Sequence, residues 1–253
     1  MRTKLENLVK LAGQQMLSGG GSAVTAKEGI GNYVTELDQQ LQEQLRADLS
    51  ALLPEAGFQG EEGGKTQTTG LRWIVDPIDG TTNFIRGLHY SCVSVALVQD
   101  ETPLMGVVYN PYTGQCYSAE KGKGAWCNGE PLKVSEHTLE RSLVSVGFTA
   151  YEREQTDRMF RLFRGLFDRG EDMRCFGSAA LDLCAVGAGA LDVFVELQLY
   201  PWDYAAAACI ITEAGGVVSD LEGNPLPMSR SSGVLAADKA AYEAALAVCL
   251  ETR

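Results

Sequence analysis

Histidine is nearly missing from this chain. His89 and His137 are the only two in 253 residues, and neither sits in a motif. Zinc sites built on imidazole and a Ser-His-Asp relay therefore have little material. The cysteines, at 92, 116, 127, 175, 184, 209 and 249, include no CxxC pair. Their odd number and wide scatter predict buried free thiols in a reducing compartment. No apolar run approaches the roughly 18 residues that suggest a membrane span. Positive charge is scarce: 21 Lys and Arg stand against 33 Asp and Glu, a net charge of −12. Such a surface repels nucleic acid and anionic lipid, so neither is expected as a partner. An anionic substrate would need a cation between itself and the protein. The start, Met1-Arg2-Thr3-Lys4-Leu5-Glu6, lacks the apolar core of a secretory signal, and a cytoplasmic location is expected.

What is present is an ordinary globular composition, 45% apolar and 21% charged, with no repeat and no low-complexity tail. Leu5, Leu8, Val9, Ala12 and Met16 predict a helix over 3–17, ended by Gly19-Gly20-Gly21-Ser22 and followed by a loop to about Gly31. Thr35 reads as the N-cap of a second helix carrying Leu37, Leu41, Leu45, Leu49 and Leu52, stopped at Pro54. Trp73–Asp76 reads as a short strand, and 91–99, 104–110 and 115–119 as antiparallel strands. Helices are expected near 153–168, 178–188, 203–214 and 238–250, with short strands near 143–147, 192–196, 217–219 and 233–236. The pattern is α/β, or α+β in layers. No linker cuts the chain, so 1–253 reads as a single domain, with sub-halves of about 1–135 and 136–253 joined through 130–142.

The chemistry concentrates in Asp76-Pro77-Ile78-Asp79-Gly80-Thr81-Thr82-Asn83-Phe84. Two carboxylates close an apolar strand, Pro77 stiffens the turn, and Gly80 permits a positive φ or a close approach. Two carboxylates with a free carbonyl suit a hard, oxygen-seeking cation such as magnesium. Hydroxyls and N–H groups at a helix start suit a phosphate oxygen. The plain alternative is an acidic surface turn. Gly60-Glu61-Glu62-Gly63-Gly64 alone would be a solvated turn, and Asp203 in Trp202-Asp203-Tyr204 alone a helix-dipole partner.

Together, GEE at 60–62, WIVDPIDGTTNF at 73–84 and PWDYAAAACIITEAGG at 201–216 resemble the inositol monophosphatase family of magnesium-dependent, lithium-sensitive phosphomonoesterases. Lys121–Gly129 and Gly177–Leu183 extend the resemblance over nearly the whole chain. The resemblance implies an αβαβα sandwich of the inositol monophosphatase/fructose bisphosphatase type, a homodimer, and two or three Mg2+ per site. It assigns Glu61, Asp76 and the Ile78 carbonyl to one metal and Asp76, Asp79 and Asp203 to a second. Glu61 would also hold a third, weaker one. Thr81, with Asp38 as its partner, would position the attacking water, and the N–H groups of Gly80 and Thr81 would hold phosphate. Gly177, Ser178 and Glu196 would line the substrate pocket, Glu196 accepting from polyol hydroxyls, and Lys27 would lie on a loop closing over the metals.

The charges are consistent with that reading: four carboxylates against two divalent ions leave a near-neutral site, whereas without metal it repels a phosphate ester. The expected reaction is hydrolysis of a small phosphorylated polyol or sugar, foremost myo-inositol monophosphate, by a metal-activated water without a phosphoenzyme. Within the family the rivals are fructose 1,6-bisphosphate, histidinol phosphate and 3′-phosphonucleotides; Thr82-Asn83 after the DGT argues against the last. The rival of another class is a non-catalytic regulatory protein on the same fold.

Overall fold

Alternation of side chains along the strands sets the layering, because the central strands are buried on both faces over 72–79, 92–98, 105–110 and 193–197. The structure is a computed structural model that describes residues 1–18, 24–26, 33–63, 67–148 and 153–252. In chain order it contains α1 (Arg2–Ser18), β1 (Val24–Ala26), β2 (Tyr33–Thr35), α2 (Glu36–Leu52), β3 (Gly57–Gly60), β4 (Leu71–Asp79), α3 (Thr81–Arg86), β5 (Cys92–Gln99), β6 (Thr102–Asn110), β7 (Gln115–Glu120), β8 (Gly124–Cys127) and β9 (Glu130–Pro131). There follow β10 (Leu143–Val146), α4 (Thr156–Phe167), β11 (Asp172–Arg174), α5 (Ala179–Gly187), β12 (Val193–Leu199), α6 (Pro201–Glu213), β13 (Val217–Ser219), β14 (Ser232–Ala237) and α7 (Tyr242–Glu251).

Strands β3 to β9 form a seven-stranded sheet in sequence order, antiparallel except for the β3–β4 pair. The second sheet runs β11-β10-β12-β14-β13. Trp73, Val75, Val93 and Val95 face α1 and α2, whose Leu5, Val9, Leu41 and Leu45 meet them at helical spacing. The residues between, Ile74 and Ala96, face the opposite way, onto Leu183 of α5 and Ala206 of α6. Those two helices also receive Phe194 and Val234 of the second sheet. Val193, Val195 and Leu235 point outward to Leu162 and Leu166 of α4 and Val248 of α7. Helices, sheet, helices, sheet, helices: this is the αβαβα sandwich.

Two expectations are corrected. The segment before Thr35 is not simply a loop, since Val24↔Thr35 and Ala26↔Tyr33 pair as a short antiparallel ladder; three residues per strand are too few to show a period. The thiols are free, but Cys175 is exposed and Cys127 only half-buried. No described helix is long and apolar enough to cross a membrane.

Candidate active site

Three residues apart on a regular strand, Asp76 and Asp79 would point to opposite faces. A β-bulge changes that. Asp76 pairs with Ser94 and Asp79 with Cys92, so three steps on β4 oppose two on β5. The surplus residue brings both carboxylates to one side, and Pro77, which cannot donate to a ladder, lies inside the irregular stretch. Asp203 joins them from the first turn of α6. Carboxylate oxygens of Asp76, Asp79 and Asp203 all lie within 4.8 Å of one another, and all three residues are buried.

Each carboxylate is oriented through one oxygen. Asp76 Oδ1 accepts from the N–H of Ile78 at 2.9 Å. Asp79 Oδ2 accepts from the Ser178 hydroxyl and from the N–H of Ala180 at 3.1 Å. Asp203 Oδ2 accepts from the N–H of Tyr200 at 2.7 Å, with Pro201 filling the first helical position. Burial pushes Asp76 well above the usual carboxylate range, and the charges of Glu61 and Asp79 push it further. Burial likewise raises Asp203, with Asp79 adding to it. Asp79 is raised by burial to about 6, held back by the Ser178 hydroxyl. Buried carboxylates that repel one another want a counter-charge, and an all-oxygen donor set fits a hard divalent ion.

Glu61 follows β3, its N–H reaching the Val75 carbonyl at 3.2 Å; its charge acts on both Asp76 and Asp203. The loop after it is clamped by a residue missed in the sequence. Buried Gln42 of α2 donates to the Glu62 carbonyl and accepts from its N–H, both at 2.8 Å. A glutamine on the leucine face of an amphipathic helix was the available signal. Asp38 is buried at the N-terminus of α2, where Oδ2 accepts from the N–H of Thr35 at 2.8 Å and from its hydroxyl. Its charge is felt at Asp76. The Thr81 hydroxyl donates to the Ile78 carbonyl at 2.9 Å and not to Asp38, its expected partner, whose Oδ2 is taken up by Thr35 at the start of α2. Lys27 lies outside the described residues.

Gly80 caps α3 at φ 82°, and a β-carbon there would lie 3.1 Å from the carbonyl oxygens of Gly177 and Tyr90. The N–H groups that open a helix have no partner inside it, which leaves the Gly80–Thr81 turn suited to an anion. Beside it opens a cavity of ≈ 300 Å³ lined by Asp79, Gly177, Ser178, Asp182, Glu196 and Asp203, among others. Glu196 arrives from the second sheet through another bulge: Glu196↔Val234 is followed by Leu199↔Ser232. Gly147 makes room for it, because a β-carbon there would fall 1.8 Å from Glu196 Oε2. A separate, more apolar cavity of ≈ 230 Å³ between Pro103, Ala208, Cys209 and Leu226 contains none of the anticipated site residues.

A model of the inositol monophosphatase family matches residues 4–251. A protein of Aquifex aeolicus named fructose-1,6-bisphosphatase/inositol-1-monophosphatase is 34% identical over 251 residues, covering 97% of this chain and 94% of its own. The Nus factor SuhB of Xylella fastidiosa is 33% identical over 203 residues, 80% of this chain and 74% of its own. Among solved structures, the IMPase of Thermotoga maritima superposes with a TM-score of 0.89 at 32% identity, covering 98% of this chain and 95% of that one.

Proposed function

The chain belongs to the inositol monophosphatase family, a family of phosphatases, and from that membership we propose that it hydrolyses a small phosphorylated polyol, with myo-inositol monophosphate first among substrates, in the presence of Mg2+. The observation that carries the reading is the cluster of Asp76, Asp79 and Asp203, buried with oxygens within 4.8 Å, opening on a cavity of ≈ 300 Å³. A ligand of inositol phosphate size matches a pocket of that order.

Bound divalent ions would supply Lewis-acid activation of water and of the ester oxygens. Asp76, Asp79, Asp203 and Glu61, with the Ile78 carbonyl, would hold them. The N–H groups of Gly80 and Thr81 orient the phosphoryl oxygens. The Thr81 hydroxyl, on the same turn, would direct the attacking water once released from the Ile78 carbonyl, with the Asp38 charge nearby on α2. Gly177 and Ser178 shape the wall, and Glu196 accepts hydrogen bonds from leaving-group hydroxyls. A carboxylate at that wall accepts from polyol hydroxyls and repels a second phosphate, which places fructose 1,6-bisphosphate below inositol phosphate. The name of the Xylella relative raises a regulatory role; the full set of site carboxylates supports hydrolysis. Family resemblance adds a homodimer.

Phosphate release across inositol 1-phosphate, fructose 1,6-bisphosphate, histidinol phosphate and a 3′-phosphonucleotide, with Mg2+ and after chelation, tests the reading. Inositol 1-phosphate should give the highest kcat/KM, and chelation should abolish it. Glu196→Gln should weaken inositol phosphate by about 1–3 kcal/mol, the cost of a charged hydrogen bond. Hydrolysis of a simple aryl phosphate should stay close to the parent's. Equal losses on both would move Glu196 out of the substrate site.

A further inference from the structure

Asn83, inside the motif that carries the site carboxylates, does no chemistry in the mechanism above, and Tyr90 and Asp182 belong to none of its steps. The structure joins them. Asn83 Nδ2 donates to the Tyr90 carbonyl at 2.8 Å and to the Phe176 carbonyl at 2.7 Å. The Tyr90 hydroxyl donates to Asp182 Oδ1 at 2.7 Å. Asp182 Oδ2 accepts from the Ser145 hydroxyl at 2.8 Å. The rings of Tyr90 and Phe176 lie 5.2 Å apart. The contacts close on themselves: Asn83 to the Tyr90 carbonyl, the Tyr90 ring to the Phe176 ring, the Phe176 carbonyl back to Asn83, with Asp182 holding the Tyr90 hydroxyl. Phe176 is held through its carbonyl and its ring. Two residues later stands Ser178, whose hydroxyl reaches Asp79 Oδ2.

We propose that this closed ring is a positioning device: Asn83, Tyr90 and Asp182 fix the 176–178 turn so that Ser178 holds Asp79 in the orientation that receives a divalent ion. The inference rests on the metal reading above. Tyr90 lies outside the cavity lining and acts through Ser178; Asp182, which also lines the cavity, holds the Tyr90 hydroxyl in place. Partners that orient a metal ligand from behind commonly change ion affinity by about 10–100-fold when removed. Tyr90 stands further back than such a partner, so the lower end applies.

The test is titration of the full chain with Mn2+ alone, followed by calorimetry, in four proteins: the parent, Tyr90→Phe, Ser178→Ala and the double variant. Tyr90→Phe removes one oxygen and keeps the ring, so the fold is retained. A matched control is Tyr242→Phe, which removes another hydroxyl, one that donates to Ser219 Oγ at 2.8 Å in the outer layer. Tyr90→Phe should raise the Mn2+ dissociation constant about tenfold, and Tyr242→Phe should leave it within about twofold. In the Ser178→Ala background, Tyr90→Phe should add less than about twofold, because residues acting in series are non-additive. Asp182→Asn should follow Tyr90→Phe. An unchanged constant in Tyr90→Phe, or the full effect persisting without the Ser178 hydroxyl, overturns the proposal. No saturable Mn2+ binding by the parent overturns the metal reading itself, and the role of Tyr90 with it.

Discussion

Asp79 has three neighbours that donate to one of its oxygens and two carboxylates that repel it. Burial still wins, and its carboxyl is raised to about 6 from 3.8. Between roughly those values the folded chain keeps a proton that the unfolded chain has lost. The stabilisation this gives is full below the unfolded value and is lost as pH rises through about 6. Metal-free protein should therefore lose thermal stability from pH 5 to pH 8 relative to Asp79→Asn, which has no charge to bury. At pH 8 under chelation the variant should melt a few degrees higher, and the gap should close towards pH 4. A variant less stable than the parent at pH 8 would contradict the repulsion. With saturating Mg2+ the same variant should lose more than about 100-fold in phosphate release, and near-parental turnover would remove Asp79 from the ion site. The three carboxylates that the fold gathers, Asp76, Asp79 and Asp203, were legible from residue type and motif. The residues that orient them, Gln42, Tyr90 and Asp182, were not, because their partners lie 20, 92 and 37 positions away.

At the scale of elements, the sequence placed the strand's end at Asp76, with Pro77 read as stiffening a turn. The strand instead runs to Asp79 because the bulge takes up Pro77. A bulge leaves no mark in composition: it depends on the neighbour, here Ser94 and Cys92, and a single strand cannot show it. The bulge at Glu196 escaped for the same reason. Helix starts were easier, because capping is local. In α2, Thr35 and Asp38 form a reciprocal capping box, and the same Asp38 faces the site. Thr35→Ala should cost about 1 kcal/mol, seen as a fall of about 2–4 °C in melting temperature; Thr35→Ser should recover most of it. A loss-free Thr35→Ala would mean that the cap contributes nothing to α2.

For the whole molecule, the layer order followed from alternation once the strands were known, but the pairing order of the second sheet, β11-β10-β12-β14-β13, did not. Non-sequential neighbours are chosen by packing, not by local pattern. The candidate site draws Asp76 and Asp79 from the first sheet, Asp203 from the central helices and Glu196 from the second sheet. An ion there would tie layers together. Amide exchange in β4 and in α6 should slow together on adding Mg2+; protection confined to one of them would place the ion elsewhere. The same division has a consequence for a severed chain. A cut between Pro131 and Leu143 would leave Glu61, Asp76 and Asp79 on one fragment and Asp203, Ser178 and Glu196 on the other. Neither piece would own a full ligand set, so the return of ion binding on mixing them would report their reassembly.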